Sequence, residues 1–417
     1  MKQKTLSFID KSAFAFFGIL VFFLPISSAA IESCFGFIFF CFVLKVVISR
    51  PSLKVIKEFF GKRINLSLLT FYCLISFSMV NSGPLLTKSL SAWLFKWGEG
   101  VLLFYFGQVF LDKKKVKILL LIFLLSGFLI SIDGIYQKIF GIDFIRGFSL
   151  MEASGFKAIT AAFRHYNNFS TYVTVMFLIA IGFLIHQKKV FLRILLSLLS
   201  LLLLVDLFFT FSRGAWLALI IACLILRSFS SSRRVKKISF IMLVVFLAGL
   251  IFLPTVGERF ITIFKKGGDA DRFIMWKVAF LMFRESPILG KGIGLFMDHM
   301  NNYQYKGLDG LKFQYSQYAH NCYFQILAET GLAGLISFLW FLAELMFRGY
   351  RRLKQKVDFM FIGLFCAITA FLVHSFFDTQ FYSLKLSVLF WVMASFLAVY
   401  ICSDSSDDRL EDFNKRT

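Results

Sequence analysis

Cysteine is scarce here and never paired. Seven residues, at positions 34, 41, 73, 223, 322, 366 and 402, fall almost entirely within apolar stretches and at no metal-binding spacing, so neither a disulfide framework nor a cysteine-ligated metal is implied. Acidic residues are also few, 24 against 46 Lys and Arg, for a net charge of +22. A surplus of that size invites a nucleic-acid partner. The cations, however, stand in short clusters between apolar stretches rather than along one face, and no nucleic acid is expected. Runs of about ten residues that alternate apolar with polar are missing too, which excludes a transmembrane β-barrel.

What is abundant is apolar sequence. Hydrophobic residues make up 58% of the chain, mean hydropathy is +0.76, and Phe alone occurs 58 times. No aqueous fold buries so much, and runs such as Ile194–Phe211 are long enough to cross hydrocarbon, where a helix satisfies its own backbone. The expectation is an all-α polytopic membrane protein with about twelve transmembrane helices. They are read at 14–25, 31–48, 65–81, 97–111, 117–135, 169–186, 191–211, 213–229, 238–254, 328–347, 357–377 and 383–402. The first follows a basic N-terminus and precedes Ser27-Ser28-Ala29-Ala30, as a cleavable signal would. A second span comes at once, so the first is read as a retained helix.

Lys and Arg collect around 50–63, 113–117, 188–193, 227–237 and 348–356, in each case after an even-numbered span. By the positive-inside rule that side, with both termini, is cytoplasmic. The chain then divides into a membrane bundle of about nine spans over 1–254 and a periplasmic loop with short interfacial helices over 255–327. Three further spans follow over 328–402, and a cytoplasmic tail over 403–417, whose acids from Asp404 to Asp412 suit a solvated, disordered end. The outward side gathers His165, His299, His320 and His374. Ionisable groups at a membrane boundary are expensive and tend to be functional or paired, so the site is sought there.

Four stretches on that side invite chemistry. Arg213, in Phe211-Ser212-Arg213-Gly214-Ala215-Trp216, begins a helix with Ser212 as its N-cap, which sets a cation at the positive end of the dipole. A bound anion would compensate it; an arginine reaching lipid headgroups accounts for it equally well. Arg272 follows Asp269-Ala270-Asp271, a pattern able to hold a divalent metal, although Asp271 reads more simply as a helix cap after Gly267 and Gly268, and no metal is expected. Gly290-Lys291-Gly292-Ile293-Gly294 fits neither a phosphate loop nor a dinucleotide fingerprint and is read as a flexible turn. His320, in Tyr318-Ala319-His320-Asn321-Cys322-Tyr323, has the chemistry of a general base near neutral pH, whereas a lone histidine more often serves as a structural hydrogen-bonding residue.

Together these residues carry a resemblance. Ser212 to Trp216, Arg272 with Trp276, Ser286-Pro287-Ile288-Leu289-Gly290 through Gly294, and His320-Asn321 through Glu329, Gly331 and Gly334 resemble the O-antigen ligase and polymerase superfamily in order and spacing. Gly134 to Gln137, Gly141 to Asp143, Phe163 to Asn168 and His374-Ser375 extend the likeness from about residue 130 to 395. It implies a membrane glycosyltransferase of the bacterial inner membrane, its site facing the periplasm. The donor would be a glycan on undecaprenyl diphosphate and the acceptor a sugar hydroxyl of lipid A-core, among membrane lipids, with neither metal nor nucleotide and no other cofactor. Arg213 and Arg272 match the family's diphosphate-binding arginines, and His320 its proposed catalytic histidine. Arg164, His165, Asn321 and His374 then become candidate supports of the site or contacts to the acceptor. A polymerase, or a transferase to protein hydroxyls, is the alternative in the same superfamily; a transporter fits less well, since midplane charges are few and no inverted repeat is seen.

Overall fold

The computed structural model describes residues 2–153, 155–229, 233–252, 254–261, 270–303, 318–355 and 357–416. Its helices are α1 (Lys2–Phe23), α2 (Ser28–Ser49), α3 (Leu53–Gly61), α4 (Arg63–Ser76), α5 (Leu86–Ser91), α6 (Glu99–Phe110), α7 (Lys113–Phe140) and α8 (Tyr166–His186). There follow α9 (Val190–Phe209), α10 (Arg213–Phe229), α11 (Arg233–Phe252), α12 (Pro254–Ile261), α13 (Ala270–Glu285) and α14 (Phe296–Met300). The last three are α15 (Cys322–Gln355), α16 (Phe359–His374) and α17 (Leu384–Arg416). The described strands are one small hairpin, β1 (Met151–Ala153) and β2 (Phe156–Ala158), antiparallel with Met151 opposite Ala158.

Each of the twelve expected segments falls on a helix. Among the described residues eight helical stretches are long and apolar enough to cross a membrane. The segments expected at 65–81 and 97–111 share one of them, Arg63–Phe110. Its α4 and α6 run to 14 and 12 residues and are joined through a 3₁₀ stretch, α5 and a π-helical turn. At 1.5 Å per residue neither reaches the roughly 30 Å of a hydrocarbon core alone. Gly83, at φ 51° and ψ −126°, breaks the stretch within the interval left between the two expected segments. The acidic tail differs from expectation as well: with no Gly or Pro between Leu384 and Arg416, α17 continues helically through Asp404–Asp412.

Burial orders the bundle from the middle outwards. Of the most apolar window of α8, 89% is buried, and of α17, 83%, against 28% for α1 and 22% for α2. A helix apolar all round and covered all round is a central one, while α1 turns Phe8 and Ile19, and α2 Phe37, Phe40 and Val47, outward where lipid would lie. At the centre α8 meets α16 glycine to glycine. A Cβ on Gly182 would stand 2.7 Å from the Phe359 carbonyl oxygen and 3.0 Å from Gly363 Cα, the close approach that small residues permit between membrane helices.

This alternation of helices sorts the chain's two ends. The clusters at 113–117, 188–193 and 348–354 lie at one end; the starts of α2, α8, α10 and α17 and the finish of α7, α9 and α16 lie at the other. His165, Arg213, His320 and His374 are all at that second end.

Candidate functional site

The platform of the site is a break in α15. Gly331 has φ 65° and ψ −164°, a conformation closed to other residues, and it takes the amides of Leu332 and Ala333 away from their helical acceptors. Those amides donate instead to the carbonyls of Pro287 (2.9 Å) and Ile288 (3.2 Å). The carbonyls of Ala328 and Glu329, left over by the break, accept from Lys291 (3.0 Å) and Gly292 (2.9 Å). Two helical hydrogen bonds are thus exchanged for four between segments.

That exchange corrects the reading of Gly290–Gly294 as a flexible turn. Its glycines have φ values of 71°, 111° and 78°, and a side chain on Gly290 would overlap the Glu329 backbone. Glu329, buried, reinforces the clamp by accepting from Gly294 N (2.8 Å), Phe296 N (3.2 Å) and the Tyr382 hydroxyl (2.7 Å). Asn81 donates to the Gly290 carbonyl at 2.7 Å and Ser78 Oγ accepts from Ile293 N at 3.0 Å, so residues after α4 hold the turn from the other side.

His320 stands at the head of the platform. Its φ of 49° turns the chain just before α15, and Asn321 caps that helix by accepting from the amides of Tyr323 (2.9 Å) and Phe324 (3.0 Å). The Asn321 side-chain oxygen is therefore engaged by the backbone of α15. His320 Nδ1 lies 3.3 Å from Asp378 Oδ1, in the turn after α16. Cys322 N donates to the Ser375 carbonyl (2.9 Å) and Cys322 Sγ to the Asp378 carbonyl (3.3 Å), stitching the two turns together, while Thr379 N donates to Asp378 Oδ1 (2.8 Å). Burial alone would raise the Asp378 carboxyl; the His320 hydrogen bond and the charges of His320, His165 and Arg272 outweigh it and hold the group well below the usual carboxylate range. A neutral His320 that donates from Nδ1 to this carboxylate leaves Nε2 as a proton acceptor. Asp378 escaped the sequence reading because Phe376-Phe377-Asp378-Thr379 has no pattern of its own.

Cations gather around this pair. Arg272 is in the first turn of α13, one turn before Trp276, whose ring packs against Phe324 at 5.5 Å and Phe376 at 5.8 Å. Residues four apart share a helix face, so the Trp276 anchor between α15 and the α16 turn brings Arg272 to the site. Its charge acts on Asp378, His165 and His374, and the charges of Arg272, Arg259, Asp378 and Arg213 all reach the Tyr166 hydroxyl. Arg213 opens α10, after a turn in which Phe211 has φ 52°. Ser212 precedes it, and its hydroxyl donates to Asn167 Oδ1 at 2.8 Å. Arg259, in α12, was not singled out beforehand. It is buried and donates from Nε to the Phe211 carbonyl at 3.3 Å, so it braces the turn that carries Arg213.

The remaining candidates have separate places. His165 caps α8, its Nδ1 accepting from Asn167 N at 3.1 Å, and burial pushes it below its ordinary value, aided by His320 and Arg272 and opposed by Asp378. His374 is buried behind the site, with Nδ1 2.7 Å from Thr171 Oγ1 and Nε2 3.4 Å from Ser212 Oγ; it joins α8, α10 and α16. Arg164 is exposed and lines a different cavity. Asp269 lies outside the described residues, and α13 begins at Ala270, so Asp271 falls in its first turn rather than before it. Among the described residues no group of three or more His, Cys, Asp or Glu could hold a metal ion.

The arrangement thus offers an acceptor for a hydroxyl proton beside a field of guanidinium charge. Arginine forks suit phosphate oxygens, and a base next to them suits transfer to a hydroxyl.

Comparison with known proteins bears on both halves of the site. Residues 198–339, which include Arg213, Arg259, Arg272 and His320, match the family described as O-antigen ligase. A ComP-specific O-oligosaccharyltransferase of Acinetobacter baylyi (strain ATCC 33305 / BD413 / ADP1) is 26% identical over 317 residues, covering 72% of this chain. The chain spans about half the length of that curated relative, 53% of which is matched.

Proposed function

We propose, for a chain whose residues 198–339 match the O-antigen ligase family, that it is a membrane glycosyltransferase moving a glycan from a polyprenyl diphosphate, undecaprenyl diphosphate by the family resemblance, to a hydroxyl acceptor. The observation that carries this reading is the His320–Asp378 pair at 3.3 Å within reach of Arg272. His320 Nε2 takes the proton of the acceptor hydroxyl as its oxygen attacks the anomeric carbon. The bond from that carbon to the diphosphate oxygen breaks on the opposite face, which inverts the centre. Arg213 and Arg272 neutralise the departing diphosphate, and Asp378 stabilises the imidazolium. Every step is performed by side chains of the chain itself.

The end that carries the site faces the periplasm of a bacterial inner membrane in this reading, which the basic clusters at the opposite end support. The organisation that goes with it is a bundle over 1–254, a periplasmic loop over 255–327, three spans over 328–402 and a cytoplasmic tail over 403–417.

The acceptor has two readings. A sugar hydroxyl of lipid A-core is the first, as the family resemblance implies; a protein hydroxyl is the second, and the name of the Acinetobacter baylyi relative favours it. Purified protein given a polyprenyl-diphosphate glycan and either acceptor distinguishes them, scored by lipopolysaccharide ladders or by glycoprotein mass. On the acceptor that works, His320→Ala and Arg272→Ala are expected to abolish transfer while leaving the protein inserted; unchanged transfer from either removes the mechanism.

A further inference from the structure

A second basic cavity stands apart from His320. Its volume is about 310 Å³, and its lining includes Arg146, Arg164 and Lys385 with Ser28, Asn168 and Ser383. Such a size is at the lower end of small-molecule sites. Lys385 is fixed there by donating to the carbonyls of Pro25 (2.6 Å) and Ala162 (3.1 Å), with its ammonium 4.9 Å from the centre of the Phe163 ring. The charges of Arg146 and Arg164 both reach it.

Nothing acidic among the described residues forms an ion pair with these three cations. The carboxylate whose charge acts on Lys385, Asp143, is occupied by backbone: it accepts from the amides of Ile145 (3.1 Å), Arg146 (2.5 Å) and Phe148. Three helices also begin at the cavity. Ser28 starts α2, Asn168 is in the first turn of α8, and Ser383 and Leu384 lead α17, so three positive dipole ends add to three side-chain charges. Like charges held together this way are balanced by an oxyanion.

We propose that this cavity binds the phosphate of a membrane-lipid headgroup. The position selects a lipid over a soluble anion. One wall is Ser28, the first residue of α2, which with α1 is the least covered of the eight long apolar helices, and it lies at the helix ends, where headgroups would sit. The proposal does not depend on glycan transfer and would survive its failure.

The test is native mass spectrometry of the purified full chain titrated with phosphatidylglycerol, with diacylglycerol of the same chains as the uncharged control. Arg146→Gln with Arg164→Gln is expected to weaken phosphatidylglycerol binding about tenfold or more and to leave diacylglycerol binding unchanged. Arg164→Gln alone, at an exposed position, gives a smaller loss in the same direction and serves if the double variant does not fold. Equal phosphatidylglycerol affinity in wild type and variants overturns the proposal. Displacement of phosphatidylglycerol by inorganic phosphate at equal concentration overturns its lipid part, because the site would then recognise soluble phosphate.

Discussion

Gly331→Ala is the sharpest probe of the platform. A methyl at this position overlaps the carbonyl of Ile288, and the φ and ψ of 65° and −164° are closed to alanine. Holding that conformation costs about 1–3 kcal/mol in backbone strain alone. The alternative is to straighten α15. Leu332 and Ala333 then recover Ala328 and Glu329 as acceptors, but Lys291 and Gly292 lose theirs, at about 1–3 kcal/mol for each amide left unsatisfied. The clamped state therefore loses the strain, about 1–3 kcal/mol, a shift of roughly 5- to 160-fold in its opening equilibrium. Hydrogen exchange on detergent-purified protein reads this directly. The amides of Lys291 and Gly292 should exchange faster by that factor, while those of α8 stay protected. Gly36→Ala is the control, since a Cβ there meets nothing within 4 Å. Full protection of Lys291 and Gly292 in Gly331→Ala would refute the exchange of hydrogen bonds as the source of the turn's rigidity.

Three further outcomes are expected. Arg259→Ala should lower glycan transfer about 100-fold with the protein still folded, because Arg259 braces Phe211 and its charge joins that of Arg213 and Arg272; wild-type rates would assign it to packing alone. Stability should fall as pH drops from about 7 to 5, since the unfolded chain protonates His165 near 6.5 while the folded chain, which needs Nδ1 as an acceptor, resists until lower pH. The unfolded state binds the extra proton in that window, whereas Asp378, held low, contributes throughout it. In His165→Asn, which caps without titrating, melting temperatures over this range should lose this component of the slope; an unaltered slope would move the effect elsewhere. Gly182→Val should destabilise by about 1–3 kcal/mol in a melt, since its side chain would meet the α16 backbone; a neutral result would mean that α8 and α16 are less tightly apposed.

Hydropathy made the helices legible because run length and composition decide who enters hydrocarbon, and those are local properties. It failed where local composition stays apolar across a break. Residues 77–81 and 97–98 read as parts of two spans, although the former lie in the 3₁₀ stretch and the latter in the π-helical turn. The site was legible only in part, for a different reason. Arg213, Arg272 and His320 stand beside recognisable helix starts. Asp378 meets His320 across 58 residues, and Arg259 meets Phe211 across 48, so their partners are set by tertiary packing alone. The Gly290–Gly294 turn shows the same limit: its spacing indicates a turn, but only the carbonyls of Ala328 and Glu329 explain why that turn is rigid.

The order in which the chain emerges gives the last helices a role in timing. His320 has no Asp378 until α16 has been threaded, and the Tyr382 hydroxyl that completes the Glu329 clamp comes later still. Lys385 reaches back 360 residues to the Pro25 carbonyl. A nascent chain with its first fifteen helices in place therefore presents arginines and a histidine without its carboxylate partner. Under the proposed mechanism chemistry is withheld until the whole bundle closes, and a truncation after Gln355 is expected to yield an inserted but inert protein.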